Sequence, residues 1–167
     1  MDIFYLEKVD RSVSHVPRRT AVKTHIRMYA WIYAITTIVF FLIDLIWIGV
    51  VAKNFYAATI GHMLRDSVNW LAALLFYLMY IGGIVLFVLA PAIRSGSKLC
   101  HVALMGGLLG VFAYGTFDLT ALALLEGWPV TVTIVDMIWG TILTGGTASG
   151  AYGISRTFLP IEGLSGG

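Results

Sequence analysis

Residues 114–140 read YGTFDLTALALLEGWPVTVTIVDMIWG. Two apolar runs meet here at a short turn, EGWP at 126–129. Each run belongs to a longer apolar segment, roughly 101–125 before the turn and 130–154 after it. About 20 apolar residues cross the hydrocarbon core as a helix, so both segments are long enough to span it. A connection this short leaves one arrangement, a tight antiparallel hairpin. Gly127 suits the end of the first helix and Pro129 the first turn of the second.

Working outward, two more segments of spanning length appear at 28–51 and 69–92, the latter ending at Pro91. The chain has 167 residues, 59% of them hydrophobic and 12% charged, against about 25% charged in a soluble domain. Its mean hydropathy is +0.87. A soluble core of this size cannot hide so much apolar surface. The sequence therefore predicts an all-α integral membrane protein, with four transmembrane helices in an antiparallel bundle. Residues 1–27 form a basic arm whose beginning, DIFYLEKV, has the pattern of a short interfacial helix. Residues 28–155 form the transmembrane domain, and 156–167 a short polar and glycine-rich tail.

Six of the eleven Lys and Arg residues precede the first span. With the N-terminus inside, nine basic residues fall on the inner side and only Lys53 and Arg65 on the outer, so both termini are expected inside. Arg18, Arg19, Lys23 and Arg27 then suit anionic headgroups, and Trp70 and Trp128 suit the membrane interface. The first span is too long for a signal-peptide core, so it is read as retained. The stretch AKNFYAATIGHMLRDSV reads as an outer loop, with Phe55, Ile60 and Leu64 as a stripe for the interface. Within it, His62 and Arg65 suit headgroups or solvent, with capping of the aspartate pocket as the other reading. Cys100 is the single cysteine and is expected to be a packed thiol; one cysteine forms no internal disulfide.

Three aspartates interrupt the apolar runs. Asp44 lies seven residues before the outer end of span one, Asp118 seven before that of span three, and Asp136 six after the start of span four. At about 1.5 Å per residue, all three are expected at one level, about 9–11 Å inside the outer ends. Each costs about 2.5–3.5 kcal/mol if it faces lipid, so they are expected to face the bundle interior. Local spacing supplies support from Trp47 (i+3 from Asp44), Trp139 (i+3 from Asp136), Tyr114, Thr120 and Thr133, with hydroxyls from Tyr77 and Tyr80. Catalytic candidates are Asp44, Asp118 and Asp136. Read blandly, the same carboxyls are interhelical hydrogen-bond glue, worth about 0.6 kcal/mol a bond. The glycines at 82–83, 106–107, 110 and 145–146 read as close helix packing.

Several chemistries are disfavoured. His15, His25, His62 and His101 are the only histidines and none lies inside a span, which argues against di-iron histidine boxes and intramembrane haem. There is no phosphate-binding loop or dinucleotide fingerprint, and the net charge of +2 is too small to argue for nucleic acid. No metal site and no cofactor are expected.

The chain resembles DUF2177, a family of small bacterial-type membrane proteins. The resemblance rests on DLIWIGVVAKNFYAATIG at 44–61, LFYLMYIGGIVLFVLAPA at 75–92, and YGTFDLTALALLEGWPVTVTIVDMIWGTILTG at 114–145. This chain has Ala121 where the family pattern has Asn. The resemblance implies four spans in a plasma-membrane-type bilayer, with an organelle inner membrane as the other setting, and a weak association with lipid modification. Three functions remain open: a protein that binds or helps modify a lipid or isoprenoid at the aspartates, an accessory subunit that docks other membrane subunits through its arm or small-residue helix faces, and a proton- or cation-handling transporter. Membrane lipids are the expected partners. The inner half of every span reads as almost purely apolar, which counts against the transporter.

Overall fold

No glycine or proline interrupts residues 18–47, and the first helix, α1, runs unbroken over Arg18–Trp47. The structure, a computed structural model, describes residues 18–159, with side chains from residue 26 onward. The arm before residue 18 and the tail after residue 159 lie outside the described residues. Of Arg18, Arg19 and Lys23 only the helical backbone is described. Thr36 and Thr37 cost α1 little, because each hydroxyl donates to the carbonyl four residues back, at 2.7 and 2.8 Å.

The first span does not end near residue 51. A π-helical turn, Ile48–Ala52, leads into α2, Lys53–Ile60, and a single 3-10 turn, Gly61–Met63, closes the rod. Most of the expected outer loop is therefore helix. Lys53 and Asn54 resemble loop residues, but they sit on an exposed helix face and break nothing. The expected interfacial stripe does not form either: Ile60 is buried, Phe55 half-buried and Leu64 exposed.

Asn69 caps α3, Trp70–Gly83, by accepting from the backbone N–H of Ala72 at 3.1 Å. Pro91 does not end this span. A second π-helical turn, Ile84–Leu89, precedes α4, Ala90–Ser95, where the missing proline N–H falls in the first turn and is tolerated. Gly96 stops the helix instead. Its φ of +61° lets the N–H of Ser97 reach the carbonyl of Ala92 at 3.0 Å. The last two helices are α5, Leu99–Leu124, and α6, Val130–Phe158, joined by the expected turn with Gly127 at a φ of +79°. Cys100 is exposed rather than packed, because it lies on the outer face of the first turn of α5.

Four stretches, Ile26–Met63, Trp70–Ser95, Leu99–Leu124 and Val130–Phe158, are long and apolar enough to cross a membrane. Their outer faces stay apolar and uncovered, as at Leu42, Ile46, Phe87, Phe112 and Ile138, which suits lipid contact. Among the described residues there is no strand. The core packs Ile32 and Phe40 of α1 against Ile81, Ile84 and Leu89 of the second span and Val102, Leu143 and Tyr152 of the last two.

Helix α6 is the element around which the others are registered. Gly106 of α5 faces Ala148, Gly110 faces the Gly140 carbonyl, and Tyr114 lies flat against Gly140. On another side, Val39 and Ile43 of α1 meet Gly150 and Gly146. Both neighbours thus run antiparallel to α6. Gly82 and Gly83, by contrast, leave only ordinary contact distances, so close packing is a property of α5 and α6.

Candidate functional site

The three aspartates are all buried: Asp118 has no exposed surface, and Asp44 and Asp136 are 8% and 9% exposed. They do not share one level. Asp118 and Asp136 do, because the hairpin sets each six residues from its end of the turn, about 9 Å along the helices. Their carboxyls are close enough to act on each other. Asp44 lies much farther from the hairpin end. Its helix continues sixteen residues to Ile60, about 24 Å. Counting depth from residue 51 placed Asp44 too close to the outer end. In agreement, no three His, Cys, Asp or Glu side chains among the described residues are placed to hold one ion.

The repeated Asp-x-x-Trp motif explains the split. Trp47 stacks on Trp139, ring centres 4.4 Å apart and planes 8° apart. Their helices are antiparallel, so each aspartate lies one turn from its tryptophan in opposite directions along the bundle. Matching the tryptophans therefore separates Asp44 from Asp136 by about 9 Å along the axis. The two indoles serve each other rather than the carboxyls.

Each site has its own tyrosine. The Tyr77 hydroxyl donates to Asp44 Oδ2 at 3.2 Å. The Tyr56 hydroxyl donates to Asp136 Oδ1. Sequence reasoning placed Tyr56 in a loop and missed it. A signal was present: Ala52, Tyr56 and Ile60 repeat every four residues on a stretch with no helix breaker before Gly61. Asp118 has no hydroxyl or amide donor at either oxygen, and only a proton shared with Asp136 would join the two carboxyls.

Other expected contributors land elsewhere. Thr133 accepts from the indole N–H of Trp128 at 3.1 Å, which draws Trp128 inward to half-burial. Thr120 is exposed on the outer face of α5, away from the acids. Trp70 stands 77% exposed at the start of α3, and Arg27 is exposed on α1. His62 and Arg65 are exposed. The half of α6 away from the hairpin is not purely apolar: Thr144, Thr147 and Ser155 are buried there, pointing into the bundle rather than to lipid.

Beside Asp44 the bundle opens. Tyr77 lies seven residues into α3, so α3 starts about 10 Å hairpin-ward of Asp44, while the first rod continues for about 24 Å. The last 13 Å or so of the rod therefore has no α3 beside it. A cleft of about 680 Å³ occupies this place. Ile48, Ala52 and Ile60 form one wall, Phe76 another, and Leu64 and Val68 of the connecting segment border it. Its polar groups are few: Asp44, Lys53 and the tyrosines Tyr56, Tyr77 and Tyr114.

Tyr56→Phe tests the Tyr56–Asp136 pair directly. Asp136 loses the Tyr56 hydroxyl, and leaving a buried acceptor without its donor costs about 1–3 kcal/mol. Thermal unfolding in detergent should show this loss, with Thr120→Val unchanged as control; equal melting of the two variants would exclude the bond.

No curated protein and no solved structure matches the chain. The profile of one family, described as a predicted membrane protein (DUF2177), matches residues 29–153, from the start of the first span to nearly the end of the last, and the chain belongs to that family.

Proposed function

We propose that the protein binds an amphiphilic lipid or isoprenoid in the cleft beside Asp44, in a plasma-membrane-type bilayer. One observation carries this reading. An apolar cleft of about 680 Å³ lies between spans and is bordered by an aspartate, a lysine and three tyrosines. Binding sites for small ligands combine apolar walls with a few convergent polar groups in this way, at volumes of about 300–1,000 Å³. The chain portion of the ligand lies along Ile48, Ala52 and Phe76. Its head meets Asp44 and Tyr77 at the closed side and Lys53 at the open side.

Ala52→Phe tests the proposal. Ala52 is small and sits on the cleft wall, so a phenyl ring there takes up cleft space. The wild-type protein, extracted gently and exchanged through detergent, should retain a lipid identifiable by native mass spectrometry. The variant should retain roughly tenfold less, the equivalent of about 1.4 kcal/mol. Retained lipid that mirrors the bulk membrane and is unaffected by Ala52→Phe would exclude the cleft as a binding site.

A further inference from the structure

A seam of buried and half-buried polar groups, touching the cleft at Tyr114, follows α6 through the bundle. It starts at Asp118 and Asp136. Tyr114 lies against Gly140 one turn on, and Tyr80 shares a hydrogen bond of 2.6 Å with Thr144 one turn beyond that. Thr147 and Ser155 follow, both with no exposed surface. At the end of the seam the Tyr152 hydroxyl donates to the Ser97 carbonyl at 2.6 Å, in the turn between α4 and α5.

Along this seam both carboxyl oxygens of Asp118, Thr147 Oγ1 and Ser155 Oγ are buried without a partner. A helical threonine or serine ordinarily returns its hydroxyl to the carbonyl four residues back. Thr144 does so to Gly140 and Thr141 to Met137. Thr147 and Ser155 do not. Buried polar groups without a protein partner are the places where internal water binds. Here they recur at three depths. Thr147 lies eleven residues past Asp136 and Ser155 nineteen, about 16 and 28 Å along the axis. The seam is therefore about as long as the hydrocarbon core is thick.

We propose that this seam holds internal water and carries protons between the α4–α5 end of the bundle and the Asp118–Asp136 pair. Each hydroxyl or water accepts a proton on an oxygen lone pair and releases the one it held. One proton moves per relay, a carboxylate oxygen of the pair takes it up, and no bond between heavier atoms forms or breaks. A relay along hydroxyls and waters moves protons without carrying an ion through the bundle. This inference does not depend on a ligand in the cleft.

The test uses the full chain in lipid vesicles enclosing a pH-sensitive dye, with a potassium diffusion potential set by valinomycin. Wild-type vesicles should change internal pH well above the rate of protein-free vesicles. Thr147→Val with Ser155→Ala should lose that excess. Thr147→Ser keeps a hydroxyl and should retain it, as should Thr120→Val on the outer face. Thr147→Val keeps the shape of threonine, so its fold is checked by melting alongside. Wild-type flux equal to that of protein-free vesicles overturns the proposal. So does a folded double variant that conducts like wild type, or a flux carried by sodium in place of protons.

Discussion

Gly110→Ala is expected to destabilise the fold by about 3 kcal/mol or more, at or above the upper end of the range for overpacking. A methyl at Gly110 would overlap the Gly140 carbonyl and lie 2.9 Å from Thr144 Oγ1. The obstacle is backbone, which has no rotamer to change. Relief requires α5 and α6 to separate, and that also lifts Tyr114 from Gly140 and loosens the pairing of Asp118 with Asp136. Gly153→Ala is the matched control, since an added methyl there meets nothing within 4 Å. Thermal unfolding of both variants in the same detergent decides the matter. If Gly110→Ala melts no lower than Gly153→Ala, the two helices are not in backbone contact.

Asp118→Asn is expected to act in the opposite direction and stabilise the protein by about 1–3 kcal/mol, the cost of leaving a buried polar group unsatisfied. Asparagine has nearly the same shape and brings an N–H that donates to the facing Asp136 carboxyl. It also removes one of two facing acids from a buried site. The same variant should lose proton flux. Gains in stability with loss of function mark residues kept for function at a cost to the fold. A fall in melting temperature instead would identify Asp118 as hydrogen-bond glue between α5 and α6. The two readings of these carboxyls thus differ in sign, and one melting curve separates them.

The fold was legible in the sequence where periodicity and turn chemistry left one solution. The hairpin at EGWP fixed the level of Asp118 against Asp136, and that pairing holds in the structure. The end of the first helix was not legible in the same way. Lys53 and Asn54 mark a change from apolar to polar, and in a membrane chain that change reads as the end of a span. Helix formation depends on backbone hydrogen bonds and the absence of breakers, so the helix continues past them to Ile60. The misplaced end moved Asp44 up and left Tyr56 in a loop. Residues on the shared Asp-x-x-Trp motif could be seen in sequence. Their stacking could not, because it depends on two helices meeting in opposite directions. Thr147 and Ser155 were passed over because single hydroxyls barely alter hydropathy.

The π-helical turn at Ile48–Ala52 sets the angular phase of the rod. Ile32, Thr36, Phe40 and Asp44 repeat every four residues, and each step drifts about 40° around an ideal helix. By Asp44 the buried line has rotated about 120° from Ile32. The π turn absorbs one residue without advancing the angle, so it takes back about 100° of phase. Ala52 and Ile60 thereby stay on the inward side, and Tyr56 keeps its bearing on Asp136. In a rod of uniform pitch the same residues would turn toward lipid. One extra residue thus lets a single continuous helix address Asp44 with one part and Asp136 with another.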